Sequence, residues 1–133
     1  KQKKFIIYFY NKNNIKNYVF DFEKDILKLI SSSDLAITRC GASTTAELAH
    51  LFTPFIAIPL PNSIDNHQYL NAKYYENIGC CWILEQNNFN AKNLFNLIIV
   101  TPFQYLQNPL LTMFHHHIKS YPAYMLYNTY HLC

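Results

Sequence analysis

Apolar residues recur along this chain in short runs divided by polar, turn-forming stretches, and the runs alternate between two periods. Leu35 to Thr38 and Phe55 to Pro59 are brief and nearly continuous, as strands buried on both faces of a parallel sheet are. Between them the spacing turns helical: from Thr44 onward Leu48, Leu51 and Phe52 make one apolar face, and Pro54 stops it. A helix from about Asn66 to Ile78 comes next, closed by Gly79, and Cys81 to Leu84 supplies a further strand. Strand, turn, helix, strand, loop, helix is an α/β signature, in which polar groups gathered beyond the strand ends bind ligands.

The flanks are read from thinner patterns. Phe5 to Tyr10 is apolar, aromatic and β-branched and is predicted to be a strand; Asn11 to Asn17 is a polar turn, and Tyr18-Val19-Phe20 a second short strand. Phe22, Ile26, Leu27 and Ile30 recur at helical spacing up to the break at Ser31-Ser32-Ser33. Ala91 to Val100 is helical by pattern, Pro102 and Pro109 punctuate, and Leu110 to Lys119 forms a last helix. Tyr121 to Cys133 has no period, is assigned no structure, and is taken as a divergent tail beyond a domain of residues 1–120. No internal repeat is present.

Composition narrows the function. At 133 residues the chain is one domain or a piece of something larger, with ample core material at 50% hydrophobic residues. Charged residues are only 14%, which predicts a sticky surface or one normally covered by missing protein. A net charge of +3, much of it from Lys1, Lys3 and Lys4, with Arg39 the only arginine, is too weak for nucleic acid. Two glycines are few for an α/β fold, which uses glycine in turns and helix caps.

Cys40, Cys80, Cys81 and Cys133 lack zinc-site spacing and read as reduced thiols of a cytoplasmic protein. His115, His116 and His117 project about 100° apart on a helix and cannot converge on one ion, so no metal and no cofactor is expected. No window is apolar for long enough to span a bilayer, and the start lacks the features of a signal peptide.

The stretch from Arg39 to Ala72 carries the candidate chemistry. A helix opening directly after a strand, at Gly41-Ala42-Ser43, presents free N–H groups and the positive end of its dipole, a site for phosphate over Ala42, Ser43 and Thr44. Glu47, one turn along, could accept two hydrogen bonds from vicinal sugar hydroxyls; the alternative is that it closes a capping box with Thr44. His67 and Gln68 begin the helix beyond the second strand, where an amide can read a hydroxyl; alternatively they are a polar helix start capped by Asp65 or Asn66.

In combination these signals resemble the MurG family of bacterial glycosyltransferases. The family pattern of Ala-Asp, an apolar strand, then Ser-Arg-x-Gly-Ala-x-Thr-x-x-Glu is met by Ser33-Asp34, Leu35 to Ile37, Thr38-Arg39, Gly41-Ala42, Thr44 and Glu47. The later pattern is met by Pro54, Pro59, Asn66-His67-Gln68 and Asn71-Ala72. The similarity is specific from about Phe20 to Gln86 and thins through Lys119.

The resemblance implies a GT-B fold, two Rossmann-like domains with the nucleotide sugar held mainly by the C-terminal one. This chain is expected to be an incomplete C-terminal half, a parallel sheet with flanking helices. The family transfers N-acetylglucosamine from UDP-GlcNAc to a lipid-linked muramyl-pentapeptide in peptidoglycan synthesis. It implies that Ala42, Ser43 and Thr44 lie against the diphosphate and Glu47 on the ribose. His67 and Gln68 face the donor sugar, with Phe22 and Glu23 near the uracil.

The family's N-terminal domain, with its acceptor site and membrane-facing patch, and the Gly-Gly-Ser loop have no counterpart in the sequence. No catalytic residue is therefore assigned. The partners expected are UDP-GlcNAc and the missing half, supplied in the same protein or as a separate acceptor-binding subunit. A non-enzymatic interaction module or inactive relic is the reading from another class. Location would be cytoplasmic, peripheral at the inner membrane in a complete enzyme. The family usually ends the helix near Phe52 with glycine; a Phe in that left-handed cap would cost about 1–2 kcal/mol, so a different helix ending is expected.

Overall fold

A computed structural model describes residues 2–106 and 124–126, with side chains through residue 100. In chain order the elements are α1 (Gln2–Lys12), α2 (Ile26–Ser31), β1 (Leu35–Thr38), α3 (Ala42–His50), β2 (Phe55–Ala57), α4 (His67–Asn77), β3 (Cys81–Ile83), α5 (Ala91–Leu106) and β4 (Tyr124–Leu126). The strands form one parallel sheet in the order β3-β2-β1-β4, with Ala36 beside Phe55 and Phe55 beside Cys81. The α/β architecture read from the central pattern is present.

Alternation along the short strands divides the core into two layers. Ala36, Phe55, Ala57 and Cys81 pack with Ile30 of α2, Leu48 of α3 and Ala72 of α4 on one face. Leu35, Ile56, Ile58 and Leu84 pack with Leu94, Leu97 and Ile98 of α5 on the other. β1 and β2 therefore carry buried residues on both faces, as parallel strands between helices must.

Four expectations at the flanks are corrected. Phe5 to Tyr10 is helical, within α1, and Tyr18-Val19-Phe20 makes no strand. A continuous apolar run lacks the alternation that separates strand from helix. α1 closes in a left-handed cap at Asn14 (φ 54°), with Asn14 N–H donating to the Asn11 carbonyl (3.1 Å) and Ile15 N–H to the Tyr10 carbonyl (2.9 Å). α5 is capped by Asn90, whose side-chain oxygen accepts from Asn93 N–H at 2.9 Å, and runs on past Pro102 instead of stopping there.

Phe52 does take the left-handed cap of α3 (φ 53°), so the different ending expected there is not found. In the tail assigned no structure, Tyr124–Leu126 adds β4 beside β1. The predicted helix at Leu110 to Lys119, the three adjacent histidines and Cys133 lie outside the described residues. Among the described residues no helix is long and apolar enough to cross a membrane.

Candidate functional site

Because β1, β2 and β3 are parallel, their carboxyl ends lie along one edge of the sheet, and the loops that follow them build the site. After β1 the chain passes Arg39 and the buried Cys40 and enters α3 from Gly41, an N-cap three residues earlier than the capping-box reading placed it. Gly41 is the N-cap and makes no side-chain cap, so the Thr44–Glu47 capping box is not formed. Thr45 instead turns its hydroxyl back onto the Gly41 and Ala42 carbonyls, both at 3.1 Å.

The first intrahelical bond is Thr45 N–H to the Gly41 carbonyl at 3.0 Å. The N–H groups of Ala42, Ser43 and Thr44 have no backbone partner among the described residues, which is the ordinary deficit of a helix start. Ala42 and Ser43 are exposed, whereas Thr44 is buried. Gly41 adopts φ −61° and ψ 144°, open to any residue, and a β-carbon there would meet nothing within 4 Å. The fold itself does not demand glycine at this place.

Glu47 is half-buried one turn into α3, and its carboxylate has no hydrogen bond or ion pair among the described residues. Gln68, at the start of α4, is partly committed: its Oε1 accepts from Leu60 N–H at 2.9 Å, leaving the amide NH2 to donate. The exposed His67 donates from Nδ1 to the Ile64 carbonyl, which leaves Nε2 of the neutral ring as an acceptor. The approach to this helix is held in two successive left-handed residues, Asp65 and Asn66.

Phe22 and Glu23 make no hydrogen bond to α3 or α4 among the described residues. Phe22 is exposed. Glu23 accepts from Asp25 N–H (3.1 Å) and the Tyr18 hydroxyl (2.8 Å), and those two donors hold its carboxyl below the usual range.

Two residues of the quoted motif have a role that the pattern alone does not disclose. Arg39 donates to the Gln86 side chain at 2.7 Å and to the Ile58 carbonyl at 3.4 Å, joining the loops after β1, β2 and β3. Asn71 donates to the Cys40 carbonyl at 3.3 Å. The usable signals were that Arg39 is the only arginine and that Asn71 falls on the α4 face of Gln68, three residues on. An open cleft of about 280 Å³ lies beside Arg39's partner Gln86, lined also by Pro59, Leu60, Asn66 and Tyr69. Cys40 is not a nucleophile in this setting: burial pushes its thiol up to about 12.

Comparison with known proteins follows the same segment. The glycosyltransferase family 28 C-terminal domain matches residues 1–107. The UDP-N-acetylglucosamine--N-acetylmuramyl-(pentapeptide) pyrophosphoryl-undecaprenol N-acetylglucosamine transferase of Pelagibacter ubique (strain HTCC1062) is 44% identical over 90 residues, 68% of this chain and 25% of that protein. A protein of the same name from Rickettsia canadensis (strain McKiel) is also 44% identical over 90 residues, again 68% of this chain and 25% of its own length. Among solved structures, that of Acinetobacter baumannii MurG aligns with a TM-score of 0.65 at 30% identity, over 80% of this chain and 30% of that one. The chain thus spans about a quarter of the length of the curated relatives it matches. With the parallel sheet, the helix start at Gly41 and these matches together, the chain belongs to glycosyltransferase family 28, in the C-terminal domain that MurG carries.

Proposed function

We propose that this chain is the UDP-GlcNAc-binding portion of a MurG-like N-acetylglucosaminyltransferase of peptidoglycan synthesis and does not carry out transfer alone. The observation that carries the reading is the amino end of α3. Three N–H groups there lack backbone partners, and one turn on stands a carboxylate with no partner of its own among the described residues. A diphosphate over Ala42, Ser43 and Thr44 would satisfy those donors and meet the positive end of the helix dipole. Glu47 would then accept from both ribose hydroxyls.

Gln68 and His67 fit the donor sugar as complementary readers, the amide NH2 donating and the imidazole Nε2 accepting. Phe22 and Glu23 are assigned to the uracil end, Glu23 through its backbone because its carboxylate is engaged. Gly41 supports the same reading: the fold leaves open space above it, and close approach of a phosphate would use that space.

Transfer needs a base to activate the acceptor hydroxyl and a surface to orient the acceptor. Those functions are assigned to the rest of a MurG-like enzyme, in the same polypeptide or a partner subunit, at the cytoplasmic face of the membrane. Calorimetric titration with UDP-GlcNAc tests the binding claim. Saturable binding is expected, weakened about tenfold or more by Glu47→Ala as two charge-assisted hydrogen bonds are lost. A folded chain that ignores UDP-GlcNAc, or binds it equally without the Glu47 carboxylate, would remove the reading.

A further inference from the structure

We propose that α1 is an interfacial helix, which lays Phe5, Ile6 and Phe9 into an anionic lipid surface and meets the headgroups with Lys4 and Lys12. The proposal is independent of the nucleotide-sugar reading, because α1 carries none of the residues assigned there.

Residues 1–16 hold five lysines and no acidic residue. Lys3 and Lys4 fall in the first turn of α1, where no acid accompanies them and the positive end of the helix dipole opposes them. At 11 residues α1 is also shorter than helices that stand alone in water. Local helix stability therefore does not account for this composition. An anionic surface laid against the helix offsets the dipole penalty, and burial of its apolar side chains there stabilises the short helix.

The side chains sort by face. Lys3, Ile7 and Tyr10 are half-buried at i, i+4 and i+7, so that face is turned to the rest of the protein, and Lys3 is paired with Asp21 at 2.8 Å. Phe5 and Phe9, one turn apart and 68% and 49% exposed, lie with Ile6 on an outward face about 100° wide. Lys4, Tyr8 and Lys12 make an adjoining exposed stripe at i, i+4 and i+8, and neither lysine has an ion pair among the described residues.

Charge decides the occupant. Protein interfaces are depleted of lysine, whereas helices lying in a membrane interface set an apolar face beside lysines and keep tyrosine at the boundary. The stripe has one sign only, which an anionic headgroup layer complements and a neutral one does not. α5 is the contrast: Phe95 and Ile99 are exposed one turn apart, as on α1, but Lys92 is the single charged residue of that helix.

The test sediments the full chain with vesicles of phosphatidylcholine alone and of phosphatidylcholine mixed with phosphatidylglycerol. Binding is expected to the mixed vesicles only, weakening as salt is raised. Lys4→Gln and Lys12→Gln should each lower it about fivefold, and Phe5→Ser combined with Phe9→Ser about tenfold or more. Phe95→Ser should leave it unchanged. The lysine variants keep the apolar face, so they read the same question should the double Phe variant not fold.

Equal binding to both kinds of vesicle, or binding lost in Phe95→Ser and kept in the α1 variants, would overturn the proposal. So would a folded wild-type chain that ignores both. Self-association that disappears in the double Phe variant, without vesicle binding by the wild type, would make this face a protein contact and overturn it as well.

Discussion

Left-handed backbone among the described residues falls on Asn14, Cys40, Phe52, Asp65 and Asn66, and on a single glycine, Gly79. Asparagine and aspartate tolerate this region better than other side chains, so in a chain with two glycines they take over caps and turns that glycine would ordinarily hold. Phe52 has no such excuse. At the end of α3 its N–H donates to the Ala49 carbonyl (3.1 Å) and Thr53 N–H to the Leu48 carbonyl (2.9 Å), the paired bonds of a Schellman cap with Phe in the glycine position. Thr53, also bonded through its hydroxyl to the Ile30 carbonyl at 3.0 Å, fixes where the chain must go next and so imposes the conformation. Replacing Phe52 by Ala and by Gly separates backbone strain from lost packing, since both remove the ring. The Gly variant should be the more stable of the two by about 1 kcal/mol in urea titration, the reverse of their order inside a helix.

Elements were legible where pattern and punctuation agreed. β1, β2, β3, α4 and the Gly79 cap follow from short apolar runs, helical spacing and a glycine in its usual place, and the loops between them carry the motif residues. The candidate site was legible in its residues and less so in its wiring: that Gln68 spends its oxygen on Leu60, or that Asn71 reaches Cys40, depends on how α4 docks. α1 failed as a prediction because Phe5 to Tyr10 is apolar at every position and carries no period to choose by. As a helix it buries none of its residues, leaving Phe5 68% exposed, and the Lys3–Asp21 ion pair at 2.8 Å is too exposed to contribute more than about 1 kcal/mol. Isolated helices shorter than roughly 12–15 residues are marginal in water. Amide hydrogen exchange should therefore find α1 opening far more readily than β1 and β2, whose residues are buried on both faces. Protection in α1 equal to that of the central strands would show that something covers its aromatic face.

At the scale of the whole molecule, one of the two core layers carries two thiols that resist ionisation. Cys40 and Cys81 are both buried, and loss of hydration is the main cause raising each above its ordinary value of 9.0, Cys40 to about 12. In the unfolded chain these thiols are exposed and ionise near their ordinary value, so above it the unfolded state binds fewer protons than the native state. Stability from this source is complete below about pH 9 and drains away as pH rises towards 12, by about 1.4 kcal/mol per pH unit for each thiol. Other groups titrate in the same range, so the comparison is with Cys40→Ala, where Ala occupies the same left-handed backbone at no greater steric cost. Urea unfolding at pH 8 and pH 10.5 should show the wild type losing more stability than the variant over that interval. Equal losses would mean that Cys40 ionises as easily in the folded chain as in the unfolded one, and that the turn beneath the proposed diphosphate site is open to water.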